Sequence, residues 1–176
     1  MEQPFTDDNY TIVTPRLVLT PFSEQYAEEN FEAFTEEITR YQYPAPYQDI
    51  DQVYANIWMF NMERFNGDGA IFDIATPDGT FVGQTDIHGI GEETPEVGVW
   101  ICKQQQQKGY ATEALTALMV DFSQQIGSNA FLYSVDRRNL PSLRLLHRFT
   151  AKYVDYEELF SDDGRKLQLE KYIITL

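Results

Sequence analysis

The chain has 176 residues, 43% of them hydrophobic, so it can bury one sizeable core, and nothing in its composition calls for a second domain. Its 28 acidic and 13 basic residues give a formal charge of −15, which excludes the basic face that nucleic-acid phosphates require. A single cysteine excludes an internal disulfide, and with only two histidines a His/Cys metal cage is not expected, which leaves only carboxylate-rich sites, so no metal is expected. No apolar run approaches the roughly 20 residues that span a bilayer, and Met1-Glu2-Gln3-Pro4 lacks the basic-then-apolar start of a secretory leader. A cytoplasmic protein with no membrane partner is the expectation.

In chain order, residues 1–9 are polar and acidic and are expected to be a flexible N-terminus, with one domain over 10–176. Arg16-Leu17-Val18-Leu19-Thr20-Pro21 alternates like a first strand, closed by a proline that cannot continue a ladder. Ser23 and Glu24 open a helical stretch in which Tyr26, Asn30, Phe31, Phe34 and Ile38 recur at near-helical spacing. Two prolines make Tyr41-Gln42-Tyr43-Pro44-Ala45-Pro46-Tyr47 an aromatic loop. The spacing of Val53, Ile57, Phe60, Met62 and Phe65 then predicts a helix over 51–65.

The stretches 70–75 and 80–87 flank Pro77-Asp78-Gly79, whose turn chemistry predicts a hairpin. A strand over 97–102 is apolar on both parities and fits a central position, with Cys102 a buried strand residue. The helix over 110–126 stacks Ala114, Leu115, Leu118, Met119, Phe122 and Ile126 on one stripe and stops at Gly127. A strand over 131–135 follows, then Asn139-Leu140-Pro141-Ser142 leads into a short helix through about Phe149, proline suiting its first turn. Two closing strands, 152–160 and 167–176, flank the turn Asp162-Asp163-Gly164.

The most informative run is Gln106-Gln107-Lys108-Gly109-Tyr110-Ala111-Thr112, between the central strand and the amphipathic helix. A loop that opens a helix with glycine and alanine leaves backbone N–H groups bare, and the helix dipole adds positive potential: a cradle for phosphate. A phosphate-loop NTPase is excluded, because no Gly-Lys-Ser/Thr follows at the required spacing. Gln-x-x-Gly-x-Ala after Glu96-Val97-Gly98-Val99-Trp100-Ile101, together with Thr14-Pro15-Arg16-Leu17-Val18-Leu19 and Asn139-x-x-Ser142, resembles the GNAT acyltransferases, more narrowly their Rim-type branch. The order of elements is similar from end to end. The resemblance implies an α/β (α+β) GNAT fold, with a mixed sheet of about seven strands flanked by about four helices. It also implies an acetyl-CoA-dependent N-acetyltransferase, acting on a protein N-terminus, a polyamine or another small amine, as monomer or homodimer.

By the same resemblance, backbone groups of Val99, Trp100 and Ile101 pair with the pantetheine arm, and Gln106, Gln107, Lys108, Gly109, Tyr110, Ala111 and Thr112 hold the pyrophosphate. Asn139 bonds the cofactor arm or holds its turn. Acyl transfer needs a neutral amine, yet an alkylamine of pKa about 10 is protonated near neutrality, so a base must take the proton. Glu96 occupies the family's position for it and shares strand parity with Gly98, Trp100 and Cys102; Asp86 and His88, of one parity with Gln84, are rivals, as is solvent. Many members place a tyrosine acid seven residues beyond the equivalent of Asn139, where this chain has Leu146; Rim-type relatives suggest Ser142 as the substitute donor. The family's usual Gly-Phe after the last helix is Thr150-Ala151 here. These departures keep a noncatalytic CoA-binding module open as an alternative. Tyr41, Tyr43 and Tyr47 are candidates for the acceptor cleft, and Cys102 lacks the neighbours that make a covalent nucleophile.

Overall fold

The computed structural model describes residues 4–176. Its strands are β1 (Ile12–Val13), β2 (Val18–Pro21), β3 (Gly69–Ala75), β4 (Phe81–His88), β5 (Glu96–Ile101), β6 (Ala130–Asp136), β7 (Thr150–Phe160) and β8 (Lys166–Thr175). Its helices are α1 (Ala27–Ala33), α2 (Glu36–Thr39), α3 (Ile50–Asn66), α4 (Tyr110–Ile126) and α5 (Leu140–Leu146). The strands form one sheet in the order β1-β2-β3-β4-β5-β6-β8-β7. Every neighbouring pair is antiparallel except β5 and β6. The chain therefore has the mixed α/β architecture that the resemblance implies, with one strand more than the sequence predicts.

The extra strand is β1, two residues long and too short to show alternation; it pairs Ile12 with Leu19 and Val13 with Val18. The larger difference lies after β2. The predicted helix over 23–38 is broken into a 3-10 turn at Glu24–Tyr26, α1 and α2. Phe34 leaves helical geometry with ψ 63, and its ring lies 5.1 Å from that of Trp100 and 5.3 Å from that of Tyr47. Aromatic packing overrides the local periodicity there.

The main core lies between the sheet and α4. The stripe Ala114, Leu115, Leu118, Met119 and Phe122 is buried against Phe72, Ile74, Ile87, Val97 and Ile101. Part of the segment predicted to be flexible joins this core: residues 1–3 lie outside the described residues, but Phe5 is fully buried, 5.0 Å from the ring of Phe122. The buried Arg64 of α3 fastens it, donating from Nη1 to the carbonyls of Phe5 and Asp7, each at 3.0 Å, and from Nη2 to the Asp8 carboxylate at 2.5 Å. Single-residue charge composition does not reveal such an anchor, because the holding arginine lies 59 residues away.

On the opposite face sits a polar network. The carboxylate of Asp73, on β3, accepts from Gln84 Nε2 at 2.8 Å, Asn30 Nδ2 at 3.0 Å and the Ser23 N–H at 3.2 Å, and Gln84 Oε1 in turn accepts from Trp100 Nε1 at 3.2 Å. These bonds fix the Trp100 indole among Phe34 and Phe81. Burial pushes the Asp73 carboxyl up to about 7, against its three donors, which favour the ionised form.

Two consequences are measurable. Phe5→Ala should lower the unfolding free energy by about 3–5 kcal/mol in urea titrations, the range for emptying a buried phenylalanine site. Between about pH 4 and about pH 7 the folded state keeps the Asp73 proton that the unfolded chain has released, so this group's contribution to stability falls as pH rises through that window. Relative to Asp73→Asn, the wild type should lose up to about 4 kcal/mol across it, about three pKa units at about 1.4 kcal/mol each, and should run parallel to the variant above about pH 8.

Candidate active site

The parallel pair β5 and β6 meets in register only at Glu96 and Leu132. Leu132 N–H donates to Pro95 O at 2.9 Å, while Cys102 N–H donates to Val82 O at 2.8 Å at the other end of β5. Backbone groups of successive strand residues point to opposite neighbours. Even-numbered residues of β5 thus address β4, and Val97, Val99 and Ile101 address the opening toward β6. The backbone of Val99 and Ile101 faces that opening, whereas the backbone of Trp100 is turned to β4 and its side chain lies in the aromatic cluster. The Ile101 carbonyl accepts from Gln106 Nε2 at 3.0 Å, which ties the following loop to the end of β5.

That loop delivers the N-terminus of α4. Gln107 has φ 63 and Gly109, the N-cap, has φ 81, both left-handed, and no side chain caps the helix. Glycine meets that demand at 109 without a Cβ penalty. The first bond of the helix runs from Glu113 N–H to Gly109 O at 3.1 Å, leaving the N–H groups of Tyr110, Ala111 and Thr112 without an intrahelical acceptor. Three uncapped amides at the positive end of a 17-residue helix form an anion cradle. Lys108 Nζ is held by Gln105 Oε1 at 2.7 Å, and Lys103 by Glu37 at 2.6 Å.

The titratable groups gather on the other face, where β4 and β5 run side by side. His88 pairs across the ladder with Glu96, and Asp86 with Gly98. His88 Nε2 lies 3.4 Å from Asp86 Oδ1, and its Nδ1 lies 3.6 Å from Glu63 Oε1 of α3. A Cβ at position 98 would come within 2.7 Å of the Asp86 carboxylate, so glycine there makes room for the acid. Desolvation pushes the Asp86 carboxyl up; His88 opposes this, and Glu96 and Glu63 add to it. All three candidate bases therefore share one cluster. Glu96 is its exposed member.

On the far side of the opening, Asn139 caps α5, its Oδ1 accepting from Ser142 N–H at 3.2 Å. Ser142 Oγ lies 2.6 Å from Tyr133 Oη of β6. Burial pushes the Tyr133 phenol up to about 12, with Ser142 opposing and Asp86 reinforcing, so it stays protonated. Tyr133 was hidden in the sequence because Phe131, Tyr133 and Val135 read as plain core alternation. Leu146 is buried in the core.

The aromatic loop forms a wall. Tyr47 packs on Phe34, the Arg138 guanidinium lies 5.1 Å over the Tyr41 ring, and Tyr43 Oη donates to Asp162 Oδ2 at 3.0 Å. Arg165, beyond the β7–β8 turn, donates from Nη1 to the carbonyls of Thr39 and Gln42. Among the described residues, no group of three His, Cys, Asp or Glu is placed to hold a metal, and no helix is long and apolar enough to cross a membrane.

Among solved structures, the fold is similar to that of RimL, a ribosomal L7/L12 α-N-protein acetyltransferase, in complex with coenzyme A. The TM-score is 0.83 at 12% identity, over 95% of this chain and 98% of that one. It is similar to Mycobacterium smegmatis RimJ in complex with CoA-disulfide, with TM-score 0.80 at 19% identity over 90% and 81% of the two chains. It is also similar to spermidine N-acetyltransferase from Vibrio cholerae in complex with CoA and spermine, with TM-score 0.77 at 15% identity over 92% and 96%. No curated protein matches in sequence. The sequence profile of the acetyltransferase (GNAT) domain matches residues 16–152, most of the chain, and with the opened β5–β6 pair and uncapped α4 this makes the protein a member of the GNAT acetyltransferase family.

Proposed function

We propose that the protein transfers acetyl from acetyl-CoA directly to the primary amine of a protein N-terminus or a polyamine. The observation that carries this reading is the uncapped α4 N-terminus at the foot of the β5–β6 opening: donors for a pyrophosphate beside strand groups for an amide-bearing arm. Acetyl-CoA supplies the activated thioester. The amides of Tyr110, Ala111 and Thr112, with loop residues Gln106 to Gly109, hold its pyrophosphate; the odd-numbered backbone of β5 orients its arm. Glu96, or the Asp86–His88 pair beside it, takes the amine proton. Ser142, backed by the protonated Tyr133, donates to the departing thiolate, a role that leaves Leu146 free to pack the core. Holding both reactants in line supplies much of the rate.

A cationic acceptor is supported by Glu63, Asp86 and Glu96 on the acceptor face and by the overall charge of −15. The relatives fit that class. RimL is described as acting on a ribosomal protein N-terminus, and the Vibrio enzyme on spermidine.

Gly109→Asp should abolish CoA binding in calorimetry while leaving the fold intact, because a carboxylate enters the cradle; unchanged affinity in the folded variant would remove the pyrophosphate assignment. Glu96→Gln should still bind acetyl-CoA but lose about 10²- to 10⁴-fold in turnover at neutral pH, with the deficit shrinking as pH rises. Turnover is read as CoA release across a panel of polyamines and N-terminal peptides. An undiminished rate in Glu96→Gln with a loss in Asp86→Asn would assign the proton to Asp86. Tight CoA binding with no transfer to any acceptor would point to a noncatalytic module.

A further inference from the structure

Arg16 stands on the turn between β1 and β2, outside every group assigned above, yet its side chain spends all its bonds on the cofactor loop and the first turn of α4. Its Nη1 donates to Lys108 O at 2.8 Å. Its Nε and Nη2 grip Glu113 Oε2 at 2.7 and 2.6 Å, and its backbone N–H donates to Glu113 Oε1 at 3.0 Å. Thr14 Oγ1 adds a fourth contact to the same carboxylate at 2.6 Å. The guanidinium also lies 5.0 Å over the ring of Tyr110, the first residue of α4.

Two physical effects follow. The peptide between Lys108 and Gly109 is planar and trans, so its C=O and N–H point in opposite directions. Pulling the Lys108 carbonyl toward Arg16 therefore turns the Gly109 N–H away from Arg16. The bond also sits between two left-handed residues, Gln107 and Gly109, where the backbone would otherwise relax. The second effect is electrostatic. Glu113 is a carboxylate one turn inside a helix end that must receive an anion, and Arg16 both neutralises it and draws it aside. Although burial alone would raise it, bonds from Thr14 and Arg16 hold the Glu113 carboxyl below its usual range, so it remains an anion that needs this partner.

We propose that Arg16 is a positioning residue for the pyrophosphate loop: it sets the direction of the Gly109 N–H and cancels the Glu113 charge, and so controls affinity for the nucleotide end of coenzyme A without touching the transferred acetyl group. The inference rests on the acetyl-CoA reading above and adds to it a residue on the sheet's outer turn.

The test compares ligands that carry or lack the pyrophosphate. For Arg16→Ala, dissociation constants of CoA and dephospho-CoA by calorimetry should rise about 10- to 100-fold, the range for losing a charged hydrogen-bonded contact. Binding of pantetheine, followed by NMR titration, should be unchanged, and turnover at saturating acetyl-CoA should stay within about twofold of wild type. Arg16→Lys keeps a charge beside Glu113 but cannot bridge to Lys108 as well; it should give an intermediate loss with the same pantetheine control, and it serves if the alanine variant fails to fold. Unchanged CoA affinity in a folded variant, or an equal loss for pantetheine and CoA, would overturn the proposal. Absence of CoA binding in the wild type would instead overturn the acetyl-CoA reading itself.

Discussion

One imperfect pairing organises this molecule: two parallel strands joined at a single register position. A sheet normally satisfies its backbone by continuing each ladder to the strand ends, and leaving donors and acceptors unmet is costly. Here β5 is fully laddered to β4 on one side and is in ladder register with β6 only at Glu96 and Leu132. β6 recovers its own order from a seven-residue ladder with β8, so the opening can persist without loosening the core. The site's remaining parts take their places around that opening. α4 begins at its foot, α5 stands across it with Ser142 on Tyr133, and the acidic cluster lies where β4 flanks β5.

The two faces of the sheet divide the work. One is packed by α4 and is apolar. The other carries the Asp73–Gln84–Trp100 network and the Asp86–His88–Glu63 contacts, polar groups that cost free energy to bury and are held in fixed geometry by one another. A buried carboxylate that accepts from an asparagine, a glutamine and a backbone amide fixes the Gln84 side chain to which the Trp100 indole donates.

Much of this was legible in the residues themselves. The hairpin turn at Pro77-Asp78-Gly79, the stripe of α4 and the glycine before it are local signals, and local signals survive into the structure. What was not legible depends on partners far along the chain. Phe34 breaks its helix to meet Trp100 and Tyr47, Arg64 recruits Phe5, and Tyr133 reaches Ser142 across a turn. Arg16 could be read only as the start of a strand, because its meaning lies 97 residues away in Glu113. Trp100 shows the same limit within a single strand. Its place beside Val99 and Ile101 is plain in sequence, whereas the direction of its backbone follows from which neighbour β5 pairs with.

The tie between the aromatic loop and the β7–β8 hairpin has a mechanical consequence. Arg165 grips the carbonyls of Thr39 and Gln42 while Tyr43 grips Asp162, so two walls separated by more than a hundred residues of chain are cross-braced like the jaws of one vice. Neither wall can swing outward alone without breaking bonds on both.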